Sequence, residues 1–137
     1  MSTDQVQAFV RRFDDMFNKP DINIADEIFA LNFKAHFPLT PTLNRATYKH
    51  YIDSFYESFP DFVMQICDTI PSHDRLVLRM TYFGSHRGDF MGIPATCCDI
   101  MMPAMSIFRF EDGEVVENWT EMDILGALQQ ISNNRPC

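Results

Sequence analysis

The sequence predicts an α+β domain in which helices cover one face of a curved antiparallel sheet. Two observations support this fold class. Up to Phe59 the apolar residues recur at helical spacing, whereas from Phe62 onward they fall in β-branched and aromatic runs that turn residues separate. A chain of 137 residues fits one domain, so we expect residues 1–137 to form a single unit whose sheet encloses a hollow.

Three helices are predicted before any long strand. The first covers Ser2 to Asn18 and opens with a capping-box pattern formed by Ser2 and Gln5. A short second helix begins near Asn23, and the third runs from Asn44 to Phe59, where Pro60 closes it. The apolar face of the third helix contains Tyr48, Tyr51, Ile52, Phe55 and Phe59.

The second half of the chain predicts antiparallel strands. Phe62 to Ile70 forms the first, and Arg75 to Ser85 alternates so regularly that its continuation places His86 with the apolar face. A long strand from Cys97 to Phe110 contains Pro103, which predicts a bulge or an edge position because proline cannot donate to the ladder. The apolar face of the second strand contains Leu76, Leu78, Met80 and Tyr82.

Asp112 and Gly113 form the clearest hairpin turn. A two-residue turn at this position pairs Phe110 with Val115 and, with regular alternation, Ser106 with Trp119. This register predicts one face with Phe108, Trp119, Glu121 and Asp123 and the opposite face with Met105, Ile107, Val116 and Met122. A short terminal helix follows over residues 124–131.

Charge and composition limit the classes of partner. The net charge of −8 opposes binding to nucleic acid and to anionic membranes, because those partners require neutralising cations. No apolar run approaches the ~18–20 residues of a membrane span, and the first residues lack the plan of a signal peptide. We therefore expect a cytoplasmic protein without nucleic-acid or membrane partners.

The four cysteines show no disulfide-framework spacing, so we expect free thiols. The four histidines are scattered singly, which disfavours a metal site. No serine triad order, phosphate loop or dinucleotide fingerprint is present, which disfavours acyl-enzyme, kinase and nicotinamide chemistry.

Two runs and one aspartate carry a resemblance to a known family. The run from Gly84 to Pro94, the run from Phe108 to Trp119, and Asp123 resemble the SnoaL-like polyketide cyclase family in order and spacing. The resemblance covers nearly the whole chain and implies the cone-shaped, nuclear transport factor 2-like fold. It departs after Pro94, where the family commonly continues Pro-Thr-Gly and a basic residue, whereas this chain has Ala-Thr-Cys-Cys.

The family resemblance implies intramolecular aldol ring closure of an apolar keto-ester or polyketide-like substrate, with no metal or organic cofactor. Such chemistry needs a base for the carbon acid and a group that stabilises the enolate. Asp123 matches the family's catalytic aspartate, and burial would raise its pKa towards neutrality. The alternative is that Asp123 caps the terminal helix, and Glu121 is then the reserve carboxylate.

The remaining candidates would bind or orient the substrate. His86 matches a family histidine and, as a neutral imidazole, would donate a hydrogen bond to the enolate oxygen; the alternative is a structural role. His36 also matches a family position and would line the pocket mouth. Aromatic walls for a flat ligand are expected from Tyr51, Phe55, Tyr82, Phe108 and Trp119, unless these residues only form core.

Other functions remain open. The same cone would support double-bond isomerisation, dehydration or epoxide hydrolysis, or it would bind small apolar ligands without catalysis. We also expect a homodimer, because the outer sheet face with Met105, Ile107 and Val116 can pack against a second copy.

Overall fold

The computed structural model describes residues 1–137 and confirms the α+β fold class. None of its helices is long and apolar enough to cross a membrane. The helices are α1 (Thr3–Asn18), a 3₁₀ turn (Ile22–Ile24), α2 (Ala25–Ile28), α3 (Arg45–Ser58) and α4 (Ile124–Ile131). The strands are β1 (Phe29–His36), β2 (Val63–Ser72), β3 (Arg75–Ser85), β4 (Asp99–Glu111) and β5 (Glu114–Met122).

The five strands form one mixed sheet with the order β1-β5-β4-β3-β2. Strands β2 to β5 form the antiparallel meander that the sequence predicts, but β1 pairs in parallel with β5, so the expectation of a purely antiparallel sheet is wrong at this edge. A parallel pair requires a long connection, and the chain between β1 and β5 supplies it.

Helix α1 covers the inner face of the sheet. Ser2 and Gln5 form the predicted capping box, in which each side chain accepts a hydrogen bond from the other residue's backbone N–H. The ring of Phe9 lies 5.0 Å from that of Phe108, and the ring of Phe17 lies 5.6 Å from that of Tyr82. Burial of each large apolar side chain contributes about 1.5–3 kcal/mol, so these contacts fix α1 across the strands.

The end of α3 packs closely on the end of β3. Phe59, just after α3, is fully buried, and a Cβ at Gly84 would lie 2.8 Å from the Cβ of Phe59. A Cβ at Gly88 would overlap the carbonyl oxygen of Glu57. The two glycines therefore let the segment around His86 approach the helix.

Pro103 lies in the central strand β4 and not at a bulge or an edge strand. It pairs with Thr81 in regular register with β3, and β5 ends one residue away, at the pair Ala104 and Met122. The Pro103 carbonyl accepts a hydrogen bond from the N–H of Asp123 at 3.0 Å. The missing proline donor is tolerated because it faces the side on which β5 has ended.

The hairpin register changes at a bulge in β5. Phe110 pairs with Val115 as predicted, but Arg109 pairs with Glu117, so Val116 is an extra residue. Because one extra residue reverses the alternation, Trp119 pairs with Ile107 and shares the outer face, which is turned away from α1. The predicted sides are therefore wrong for Trp119 and Glu121, which lie on the outer face, and for Met122, which faces inward.

Two of the four cysteines are joined, which corrects the expectation of free thiols. Cys97 and Cys137 form a disulfide across 40 residues, whereas Cys67 and Cys98 are free. The C-terminal segment folds back so that the N–H of Cys137 donates to the carbonyl of Ala95 at 3.0 Å. The spacing of the cysteines along the sequence does not predict this disulfide, because tertiary packing brings the two residues together.

Candidate functional site

An open cavity of about 290 Å³ lies between the segment after β1, helix α3, the segment after β3 and the start of α4. We call it the mouth cavity; its lining includes Leu39, Tyr51, Phe55, Ser58, Phe90 and Ile124. Glu57 and Asp89 also line it, and both residues are exposed. The cavity thus combines apolar walls with an acidic rim.

Tyr51 and Phe55 form a wall of the mouth cavity, in agreement with their predicted position on one face of α3. Their rings contact each other edge to face at 5.2 Å, because residues four apart share a helix face. Burial raises the pKa of Tyr51 from 10.0 to about 12, so its hydroxyl stays protonated near neutral pH.

Three aromatic rings lead from the mouth cavity to His86. Phe55 and Phe90 line the cavity with ring centroids 6.2 Å apart, and Phe90 lies 5.1 Å from Phe59. Phe59 in turn lies 5.8 Å from the imidazole of His86. His86 is therefore one ring behind the cavity wall.

His86 is fully buried, which confirms its predicted place with the apolar face of β3. Its Nδ1 accepts a hydrogen bond from the backbone N–H of Thr96 at 3.2 Å and lies 2.9 Å from the Thr96 hydroxyl oxygen. A neutral ring whose Nδ1 accepts must carry its proton on Nε2. That Nε2 has no hydrogen-bond partner, a condition that costs about 1–3 kcal/mol and is rare in folded proteins.

Tyr82 and Phe108 belong to the core and not to the lining of the mouth cavity. Tyr82 stacks on Phe62 with ring centroids 5.0 Å apart, and Phe108 contacts Phe9 and Phe13. Burial raises the pKa of Tyr82, which keeps its hydroxyl neutral. Both side chains face inward as predicted, but neither reaches the cavity because α1 covers them.

Asp123 is exposed and caps α4, which is the alternative that the sequence left open. Its Oδ1 accepts a hydrogen bond from the N–H of Gly126 at 2.8 Å, and a Cβ at Gly126 would overlap this carboxylate. Asp123 and Glu121 border a shallow groove with Arg79 on the outer side of the sheet. The expected position beside Phe108 is therefore wrong, although the next residue, Ile124, does line the mouth cavity.

His36 and Trp119 lie together, but on the outer face. The alternation of β1 turns Phe33 and Ala35 inward and His36 outward, so His36 does not line the cavity mouth. Its ring stacks on Trp119 at 5.7 Å, and its Nε2 lies 2.7 Å from a carboxylate oxygen of Glu117. The hydrogen bond with His36, together with a second from Arg109, lowers the pKa of Glu117.

Sequence reasoning missed the polar residues that do face inward. Asn118 and Thr120 are buried, and the Thr120 hydroxyl lies 2.6 Å from that of Ser106. The adjacent apolar pair Val115 and Val116, which breaks the alternation of β5, is the signal that could have revealed this register. No pattern in the sequence indicated that Thr96 would contact His86.

Comparison with known proteins agrees with this architecture. A model of the SnoaL-like polyketide cyclase family matches residues 7–131. TsrD from Streptomyces laurentii is 25% identical with a TM-score of 0.85 over 95% of this chain and 96% of its own. IdmH from Streptomyces antibioticus is 25% identical with a TM-score of 0.84 over 93% of this chain and 99% of its own. A SnoaL-like protein from Jannaschia sp. CCS1 is 20% identical with a TM-score of 0.87 over 98% of both chains, which shows the shared fold. No curated protein matches.

Proposed function

Because this chain belongs to the SnoaL-like polyketide cyclase family, we propose that it is a cofactor-independent acid–base enzyme. It removes a proton next to a carbonyl of an apolar keto-ester or polyketide-like substrate, and the resulting enolate attacks a second carbonyl to close a ring. The protonated base then returns the proton to the alkoxide oxygen that forms at the second carbonyl. The observation that carries the proposal is the buried Nε2 of His86, which has no hydrogen-bond partner.

His86 stabilises the enolate oxygen in this mechanism. A neutral imidazole donates through Nε2–H to the carbonyl oxygen, where negative charge develops as the carbon acid loses its proton. In apolar surroundings such a donor is worth more than in water, and removal of one comparable donor typically costs about 10²–10³ in kcat.

The substrate enters through the mouth cavity. Its apolar body packs between Tyr51, Phe55 and Phe90, which line the cavity. Its carbonyl reaches His86 only if the rings of Phe59 and Phe90 move aside, because they separate the cavity from the imidazole. Rotation of these rings is therefore a step of binding in this proposal.

A carboxylate serves as the base. Asp123 is the candidate from the family resemblance, and to act it must release the N–H of Gly126 and turn from the outer groove towards the cavity. Asp89 is the second candidate, because this residue lines the mouth cavity beside Phe90. Single variants of the two carboxylates distinguish them.

The test is deuterium incorporation from heavy water at the α-carbon of a panel of β-keto esters. His86→Asn keeps an acceptor near Nδ1 for Thr96 but removes the donor at Nε2, whereas His86→Gln restores an amide near Nε2. We expect about 10²–10³-fold slower exchange for His86→Asn and partial recovery for His86→Gln. His50→Asn, on the exposed side of α3, is the control.

Exchange that is equal in wild type and His86→Asn would refute this role of His86. Comparison of Asp123→Asn with Asp89→Asn in the same assay identifies the base. The assay detects enolisation, so it also reports isomerisation or dehydration in the same site, and product analysis separates these reactions from ring closure.

A second candidate function is the binding of small apolar ligands without catalysis. The exposure of Asp123 and its hydrogen bond to Gly126 favour this alternative, because they leave the interior without a carboxylate. If compounds of the panel bind the protein but show no exchange above that in buffer, ligand binding without catalysis replaces the proposed enzyme activity.

We further propose a homodimer through the outer sheet face. Met105 is 58% exposed and Ile107 is 37% exposed on this face. Light scattering should give twice the chain mass, and Met105→Lys should give the monomer; a wild-type monomer at high concentration would contradict the proposal.

A further inference from the structure

The two nitrogens of His86 lie in different surroundings, and one residue accounts for the difference. Thr96 is 8% exposed and presents both its backbone N–H and its hydroxyl to Nδ1, at 3.2 Å and 2.9 Å. Nε2 has no partner. Thr96 thus contacts only the nitrogen that does not face substrate in the proposed mechanism.

The direction of the Thr96 hydroxyl follows from its other contact. The N–H of Cys98 approaches Thr96 Oγ1 at 3.3 Å, so this oxygen accepts from Cys98 and its own hydrogen is free to point at His86 Nδ1. Two donors from Thr96 therefore converge on Nδ1. Protonation of Nδ1 would place a hydrogen against the N–H of Thr96 and would force the Thr96 hydroxyl to turn and accept, which disfavours that tautomer.

We propose that Thr96 is a positioning residue that holds the imidazole of His86 in one orientation and with its proton on Nε2. The catalytic consequence rests on the proposed function, because it matters for the reaction only if Nε2–H contacts the substrate. The tautomer itself is a property of the free protein and can be measured without any substrate.

The backbone holds Thr96 in register with His86. The N–H of His86 donates to the carbonyl of Cys98 and the N–H of Cys97 donates to the carbonyl of His86, both at 2.8 Å. Cys97 has φ of 60°, in the left-handed region that non-glycine residues rarely adopt, and its disulfide to Cys137 ties this segment to the C-terminus. These restraints keep both Thr96 donors directed at the ring.

Removal of the Thr96 hydroxyl should weaken the preference of His86 for one orientation and one tautomer. Thr96→Val keeps the shape of the side chain and the backbone N–H but leaves Cys98 without its acceptor and Nδ1 with a single donor. Thr96→Ser retains the hydroxyl. Thr120→Val is the matched control, because it removes another buried threonine hydroxyl, one that contacts Ser106 and Asn118 instead of His86.

The experiment is nitrogen NMR of the histidine side chains, with the His86 signals assigned by their loss in His86→Gln. In the wild type we expect an unprotonated Nδ1 and a protonated Nε2. Thr96→Val should move both shifts towards the average of the two tautomers, and Thr96→Ser and Thr120→Val should retain the wild-type shifts. A protonated Nδ1 in the wild type, or wild-type shifts in Thr96→Val, would overturn the proposal.

A kinetic measurement separates this inference from the proposed function. If His86 stabilises the enolate, Thr96→Val should lower kcat for α-proton exchange roughly tenfold with little change in KM, and Thr96→Ser should recover most of it. The expected nitrogen shifts without any exchange by the wild type would refute the proposed reaction while supporting the role of Thr96 in positioning. A loss of exchange that Thr96→Ser does not recover would contradict that role.

Discussion

His86 and His36 lie on opposite sides of the same sheet, and their surroundings differ in almost every respect. His86 is fully buried, contacts an aromatic ring and leaves one nitrogen without a partner. His36 is partly exposed, its Nε2 lies beside Glu117, and its ring stacks on Trp119. The resemblance in the sequence made both of them candidates, yet only one has a free donor in apolar surroundings.

We infer from this difference that the inner face of the sheet is better suited than the outer face to stabilise a reacting group. On the outer face, Glu117 is paired with His36 and Arg109 and water screens these groups, so each exposed pair contributes about 0–1 kcal/mol. On the inner face, an unpaired donor keeps its full capacity for a ligand. We propose that the inner face serves packing and chemistry and that the outer face serves subunit contact.

The largest expected effect is on the free energy of unfolding, and it distinguishes two neighbouring residues of β4. Phe108 faces inward against Phe9 and Phe13, whereas Ile107 faces outward and is 37% exposed. We expect Phe108→Ala to lower the free energy of unfolding by about 3–5 kcal/mol and Ile107→Ala to lower it by less than about 1.5 kcal/mol. Urea denaturation of both variants measures this, and similar losses would contradict the assignment of faces.

The second prediction concerns Asp123 as a helix cap. Asp123→Ala should cost about 1 kcal/mol because the N–H of Gly126 loses its acceptor, whereas Asp123→Asn should cost little, since asparagine caps equally well. Thermal unfolding tests the cap. A large loss of α-proton exchange in Asp123→Asn, with stability unchanged, would instead show that this carboxylate is the base and would move it from the outer region to the active site.

The third prediction concerns the contribution of Glu117 to stability at acidic pH. The hydrogen bonds from His36 and Arg109 lower the pKa of Glu117, so its folded-state pKa is below its unfolded value. The hydrogen bonds to ionised Glu117 therefore stabilise the fold above the unfolded pKa of about 4.3. This contribution is lost as the pH falls through the folded pKa of Glu117. Because Glu117 is partly exposed, we expect Glu117→Gln to cost less than about 1 kcal/mol at pH 7.

Measured by urea denaturation, the difference between wild type and Glu117→Gln should shrink towards zero as the pH falls below about 4. A difference that grows with acid would contradict the assigned direction of the shift.

The smallest expected effect is that of His36 on the reaction. His36→Asn should leave α-proton exchange within about twofold of the wild type, because surface substitutions usually change free energies by about 0.5 kcal/mol or less. A loss comparable to that of His86→Asn would show that the outer cluster around Trp119 takes part in catalysis.

Local patterns predicted the parts of this fold that local physics controls. The capping box of α1, the alternation of β3 and the burial of His86 depend on neighbouring residues, and all were confirmed. The positions of Trp119 and Glu121 were wrong because a single bulge residue, Val116, reverses the alternation that follows it.

The candidate site was less predictable because its contacts are tertiary. The mouth cavity joins residues from four separate segments, and Thr96 reaches His86 only because the chain returns beside β3. The disulfide between Cys97 and Cys137 depends in the same way on the return of the C-terminus. Neither spacing nor periodicity carries that information.

The most direct test of the central claim is titration with a stable enolate analogue, such as the enolate of a cyclic β-diketone, followed by nitrogen NMR of the histidine rings. We expect saturation to shift the Nε2 signal of His86, as its N–H gains an acceptor, while both nitrogens of His36 keep their shifts. Binding that leaves His86 unchanged, or that shifts His36 instead, would contradict the claim that the free donor on the inner face stabilises the enolate.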